Sequence, residues 1–314
     1  MRGARQAGFR EARRLTPLRA LALGLALLAV AGCSGFKFGY NRLDWIASWQ
    51  LGRFVDLDPE QEKLFGERFK VFWQWHRSTQ LTLYVRDLRE LATRVEKPLT
   101  AAQIEQFLDQ SQDHAGRALQ EAVPDTAHVL STFDDDQVKE LLANMAERRK
   151  ERARESADLT AEELREEAQK QMTKNLKRWI GPLTRDQERR VRDWSHERQY
   201  AGTVWHQYQE AWASAFTETL AHRRDPDFRQ RLSVMFDNAR VPYSEDMEKV
   251  QKHNRQAWIG LMADLSASLD QRQRGHLRER LTELAEDLEE LAAHPQRTAA
   301  TAIGILAAGP KRIG

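Results

Sequence analysis

The sequence predicts an all-α protein, an elongated multi-helix bundle or curved helical array containing two long helices. Three observations carry that expectation. Strand signals are nearly absent: no Asn-Gly or Asp-Gly pair joins two alternating apolar runs. Six segments instead show an apolar residue, then Asp or Thr, then Gln or Glu three positions beyond the Asp or Thr. Between these segments, apolar side chains recur at the 3.6-residue helical spacing.

The six segments begin at Leu57-Asp58, Leu99-Thr100, Phe133-Asp134, Leu159-Thr160, Leu183-Thr184 and Leu269-Asp270. Each reads as a capping box. The Asp or Thr side chain accepts from an otherwise unpaired N–H of the first turn, and the Gln or Glu reaches back to the N–H of the cap. Ile104, Val138 and Leu164 sit where a hydrophobic staple places its apolar residue. Pro59 falls at the first helical position, where its missing N–H costs nothing.

The helices follow in order. The first spans residues 59–95, with Phe65, Phe69, Phe72, Leu83, Leu88 and Leu91 on its apolar positions, and Lys97-Pro98 stops it. Residues 101–122 form the next, ended by Pro124; others cover 135–155 and 161–180, the latter closed by Gly181-Pro182. A second long helix, residues 185–222, carries Val191, Trp194, Trp205, Tyr208, Trp212 and Phe216. Asp225-Pro226 opens a short helix through Phe228, Leu232 and Phe236, and helices at 245–267 and 271–291 complete the set. The last has a seam of Leu277, Leu281, Leu284, Leu288 and Leu291 that resembles a coiled coil. The caps are unequally spaced, which argues against a solenoid repeat. A helix of nearly forty residues would extend about 55 Å at 1.5 Å per residue.

The N-terminus has a different character. Six arginines (Arg2, Arg5, Arg10, Arg13, Arg14, Arg19) precede an apolar run over residues 21–31, the pattern of a secretory leader. That run is well short of the about 20 residues a membrane-spanning helix needs. It ends at Cys33, the single cysteine of the chain. An ordinary cleaved leader would leave this cysteine as an unpaired thiol in an oxidising compartment. Val30-Ala31-Gly32-Cys33 resembles a lipobox, the site at which bacterial lipoprotein precursors are cut and acylated. The resemblance implies that residues 1–32 are a signal peptide and that lipidated Cys33 anchors the mature chain in a membrane. Ser34 in the next position implies the periplasmic face of the outer membrane rather than the inner membrane.

Charge then reads differently. The whole chain has 49 basic and 47 acidic residues, but the leader removes six arginines and one glutamate, which leaves 43 against 46, a net −3. The charges interleave rather than cluster, which argues against a nucleic-acid partner. With 31% charged residues the chain favours helices with much exposed surface. The expected organisation is a leader (1–32), a lipid-attached aromatic segment (33–57), a helical domain (58–293) with a subdivision point near 181–184, and a disordered tail (294–314) rich in small residues. The aromatic segment carries Phe36, Phe38, Tyr40, Trp45 and Trp49, suited either to a membrane interface or to packing on the helices.

No phosphate loop, dinucleotide fingerprint, nucleophile elbow or zinc-binding His-Glu-x-x-His motif is present, so no catalytic residue, cofactor or metal is expected. His196, Glu197 and His206 form the closest grouping for acid–base chemistry; helix-surface positions explain them better. Asp134, Asp135 and Asp136 suit a helix N-terminus, where the macrodipole favours carboxylates. Two aromatic stretches remain, around Trp73 and Trp75 and around Trp205 and Trp212. Trp73 and Trp75 lie about 200° apart on a helix, so they require burial on two sides or an exposed contact surface.

Leu99-Thr100-Ala101-Ala102-Gln103 and Leu183-Thr184-Arg185-Asp186-Gln187 match the Leu-Thr-x-x-Gln motif of the Spy/CpxP periplasmic chaperones. That local resemblance implies an all-helical protein that holds client chains without ATP. Over nearly the whole mature length, the lipobox, Tyr40-Asn41-Arg42-Leu43-Asp44-Trp45 and Val55-Asp56-Leu57-Asp58-Pro59-Glu60-Gln61 resemble a family of uncharacterised proteobacterial lipoproteins. The expected function is a non-catalytic, lipid-anchored protein-binding module of the envelope, chaperone-like or serving one dedicated partner. A cell-envelope hydrolase ranks below both.

Overall fold

A computed structural model describes residues 33–157, 159–237 and 244–293, so the leader and the tail at 294–314 fall outside the described residues. It is an all-α helical array. Helices α1 (Cys33–Tyr40) and α2 (Leu43–Leu51) precede α3 (Pro59–Trp75), a π-helical segment (His76–Gln80) and α4 (Leu81–Arg94). Then come α5 (Ala101–Ser131), α6 (Asp135–Ala157), α7 (Ala161–Ile180), α8 (Arg185–Glu197) and α9 (Gly202–Ala221). The last three are α10 (Phe228–Phe236), α11 (Glu245–Ser268) and α12 (Gln271–Ala293). Chain contacts divide the molecule into one unit that ends at Leu43 and a second that begins at Asp44.

All six capping boxes form, each with both of its reciprocal hydrogen bonds. Four of them do more than end a helix. Gln61 Nε2 donates to Gln137 Oε1 at 2.9 Å, while Gln137 Nε2 donates to Gln61 Oε1 at 2.6 Å. Gln187 and Gln273 repeat the arrangement with two bonds of 2.9 Å. In each pair every amide oxygen also accepts its own cap N–H, from Asp58, Asp134, Thr184 or Asp270. Every amide nitrogen spends its second hydrogen on a carbonyl: Thr132, Asp56, Ser268 or Pro182. An amide has two donors and two acceptor sites, so each of these four side chains is fully satisfied. A carboxylate would set oxygen against oxygen, which explains why the paired positions hold glutamine. Glu163 caps a helix through Thr160 alone and needs no donor.

Among the described residues, two hydrophobic cores organise the helices. The first joins Val123, Ala127 and Leu130 of α5 with Val138 and Leu141 of α6, Phe216 and Leu220 of α9, and Leu232 and Met235 of α10. The second joins Leu176 and Ile180 of α7, Val191 and Trp194 of α8, and Leu261 and Leu265 of α11. A smaller cluster buries Leu281 of α12 against Ala92 and Val95 at the end of α4. The first core thus draws residues from both sides of positions 181–184.

The helices depart from sequence expectation at three places, two of them explained by the cores. First, α5 does not stop before Pro124 but runs through it to Ser131. An interior proline costs a helix roughly 3 kcal/mol, and burial of Val123, Ala127, Val129 and Leu130 on either side of it offsets that cost. Second, the expected helix at 185–222 breaks between Glu197 and Gly202. Its first half serves the second core through Val191 and Trp194, and its second half serves the first through Phe216 and Leu220. Arg198 turns to extended backbone, and Gly202 takes φ +30°, which a residue with a Cβ rarely adopts. Third, the long helix at residues 59–95 forms as expected, but with a π turn in it. That turn spaces the buried residues His76 and Leu81 five apart on one face.

Candidate functional site

An open groove of about 380 Å³ lies among α7, α8 and α11. Met172, Trp194 and Trp258 supply its apolar surface. Gln171, Asn175 and Gln251 place carboxamides along it, and Arg198 and Arg255 add positive charge. No lining side chain is a carboxylate, imidazole, thiol or hydroxyl. The groove is therefore suited to holding a ligand by apolar contact and amide hydrogen bonds.

The break after α8 builds one wall. Asn254 of α11 clamps Gln199 twice, accepting from its N–H at 2.9 Å and donating to its carbonyl at 2.8 Å. His253 Nε2 donates to the Glu197 carbonyl at 2.7 Å. Arg190 ties α8 to α11 through Asp264 at 2.6 Å. These contacts hold Arg198 where its guanidinium lies 5.1 Å above the Trp194 ring and 5.5 Å above Tyr200. Trp194 is 5% exposed, yet its indole N–H has no hydrogen-bond partner, and the buried Tyr200 hydroxyl has none either. Burial raises the Tyr200 hydroxyl above its ordinary pKa against the opposing charges of Arg198 and Arg165. Arg255 is paired with Asp109 at 2.6 Å and Glu105 at 3.7 Å.

A second polar cluster surrounds the π turn. Asp87 accepts from His114 Nε2 at 2.6 Å, and Arg117 donates to His114 Nδ1 at 3.0 Å. An arginine can only donate, so in this arrangement Nδ1 accepts and Nε2 donates. Both of its nitrogens are engaged. Tyr84 stands edge-on to His114 at 5.1 Å and approaches His76 Nε2 with its hydroxyl at 3.4 Å. Burial raises the Tyr84 hydroxyl. Burial also works against the Asp87 carboxylate, but the hydrogen bonds and charges of His114 and Arg86 outweigh it and leave Asp87 below its usual value. His76, stacked on Trp73 at 5.4 Å, is lowered to about 4, first by burial and then by the charge of Arg77.

His76 is thus held neutral when folded but is free to protonate when unfolded. Its contribution to stability is complete above about pH 6.5 and is lost as pH falls toward about 4. A shift of that size corresponds to roughly 3 kcal/mol. The melting temperature should therefore fall between pH 7 and pH 4.5, and His76→Gln should flatten that fall. Parallel pH profiles for the two proteins would count against this account.

The tryptophans singled out from sequence lie away from the groove. Trp73 stacks on His76 and on Phe69, and Trp75 meets Phe72 at 5.7 Å. Trp205 contacts Tyr208 at 5.4 Å, and Trp212 stacks on Phe216 at 5.1 Å against the first core. All four are half-buried. His196 is exposed, and the break after α8 separates it from His206, while Glu197 is bound to Arg190. Cys33 is the first residue of α1. Sequence reasoning missed Arg198, Tyr200, Trp258 and the His76–His114 cluster. The one available signal was the amide-rich, aromatic pattern of 251–258, which also suits an ordinary helix face.

Among the described residues, no helix is long and apolar enough to cross a membrane, and no group of three or more His, Cys, Asp or Glu side chains is placed to hold a metal ion. No curated protein matches the chain, and no solved structure matches it. A family model does match, over residues 53–248, from the end of α2 into the first turn of α11 and so short of Gln251, Asn254 and Trp258. The chain belongs to that family, DUF6279, a family of unknown function.

Proposed function

We propose that this chain is an envelope lipoprotein, acylated on Cys33 and held at the periplasmic face of the outer membrane, whose helical domain is a non-catalytic, chaperone-like protein-binding module. The groove among α7, α8 and α11 carries the binding reading. Its apolar surface of Met172, Trp194 and Trp258 suits side chains of a client segment. Its amides suit the donors and acceptors of a peptide backbone. The lipobox-like Val30-Ala31-Gly32-Cys33 supports the anchor.

The soluble form of the mature chain, starting at residue 33 with Cys33→Ser, should suppress aggregation of a reduced model protein at near-stoichiometric ratios. Gln251 is exposed on the groove, so Gln251→Trp fills it without disturbing either core. That change should weaken suppression by roughly tenfold. No suppression at excess would defeat the chaperone reading. A single dominant crosslinked adduct in cells, in place of many, would assign the groove to one dedicated partner. For the anchor, Cys33→Ser should abolish acyl labelling and release the protein from membranes; retention without label would defeat it.

A further inference from the structure

Helix α2 is apolar on both sides. Leu43, Ile46, Ala47 and Leu51 are half-buried, and Leu51 packs on the first core. The opposite side presents Trp45 at 64% exposure and Trp49 at 50%. The two indoles stack, with centroids 6.3 Å apart and planes 12° from parallel. No residue of α2 is buried. Among the described residues of this unit, the other exposed large hydrophobic side chains, Val71 and Val234, stand singly on other helices, the ordinary condition of a protein surface. Two stacked tryptophans on one helix face are not ordinary, because each leaves a large apolar area in water. Arg53 sits 5.0 Å above the Trp49 ring, which adds a cation to the aromatic pair.

We infer that the Trp45–Trp49 face of α2 binds the headgroup region of a lipid bilayer directly. Three observations select a bilayer as the occupant. Tryptophan is the residue enriched at membrane–water interfaces, where its ring is apolar and its N–H remains hydrated. Arg53 beside it complements anionic lipid headgroups. The connection is also short: Trp45 lies 12 residues after Cys33, and seven of the eleven intervening positions belong to α1. At helical rise for α1 and extended rise for the rest, Trp45 lies within about 30 Å of the chain's attachment point. The inference rests on the anchor reading for that last argument alone.

The test uses the chain from residue 33 with Cys33→Ser, which has no acyl group, and vesicles of phosphatidylethanolamine and phosphatidylglycerol at 3:1. This protein should sediment with the vesicles, and lipids brominated near the headgroup should quench its tryptophan emission. Trp45→Ala with Trp49→Ala should lower the partition coefficient at least about tenfold while leaving far-ultraviolet helicity unchanged. The quenching needs no substitution, so it stands even where the double variant loses structure. Absence of both sedimentation and quenching would overturn the inference, as would sedimentation indifferent to the two substitutions. A dimer that the double variant abolishes, without vesicle binding, would assign the face to a second copy and overturn it as well. Acyl labelling of Cys33 in cells is read separately. Label without vesicle binding defeats the α2 inference only, whereas vesicle binding without label supports α2 and defeats the anchor.

Discussion

Gln187→Glu should lower stability by about 3–5 kcal/mol, although it exchanges one atom for another of nearly the same size. Gln187 is 1% exposed, and its amide faces that of Gln273, itself 3% exposed. In the native pair each amide donates to the other's oxygen at 2.9 Å. Glutamate removes both donors at that position. The Gln273 oxygen and the Ser268 carbonyl then meet an acceptor, and a charge is buried among them. The carboxylate could escape only by protonation, so the loss should shrink below the pKa of the buried glutamate. Gln187→Met, which leaves the partner unmet but adds no charge, should cost about 2–3 kcal/mol. Glu163→Gln makes the reverse exchange at an unpaired capping box and should fall within about 0.5 kcal/mol of the parent. Urea unfolding of the three variants checks the set. Equal midpoints for Gln187→Glu and Glu163→Gln would show that the reciprocal pair contributes nothing.

Arg223→Met should cost a comparable amount, about 3–4 kcal/mol. Arg223 is 6% exposed and follows α9, where its Nε donates to the Phe133 carbonyl at 2.9 Å and its Nη1 to the Leu220 carbonyl at 3.3 Å. Its Nη2 holds Asp135, the first residue of α6. The guanidinium therefore joins the ends of α5 and α9 to the start of α6, and methionine fills its volume without serving any of the three acceptors. The partner carboxylate is another matter. Asp135 is 73% exposed and is kept below its ordinary pKa mainly by the hydrogen bond from Arg223. Exposed ion pairs contribute little, so Asp135→Asn should change the unfolding midpoint only slightly. A larger effect for Asp135→Asn than for Arg223→Met would reverse the assignment of which atoms matter.

Features decided within four residues were legible in the sequence. Each capping box is a local arrangement, so Asp58, Thr100, Asp134, Thr160, Thr184 and Asp270 marked six helix starts that the structure reproduces. Features decided by distant contacts were not. Nothing near Pro124 shows that Phe216 and Leu232 will bury the turn that follows it. The interruption at 198–201 depends on Asn254 and His253, about 55 residues away. The groove depends on that interruption, and so its residues were invisible one helix at a time. The pairing of the glutamines was hidden for the same reason: each box is complete alone, and only the fold shows which boxes meet.

The packing of α12 on α4 has a consequence for how the chain must fold. Leu281 is buried with Ala92 and Val95, Arg274 donates to the Val95 carbonyl, and Arg89 reaches Glu289 across 200 positions of sequence. The glutamine pairs close loops of 76 and 86 residues. All-helical proteins usually fold fast because their contacts are local, and long closures slow that process. Here the first long helix gains its final partner only when the last helix has been made. A chain emerging from its N-terminus can form its caps early, but it cannot complete this architecture until nearly all of it is present.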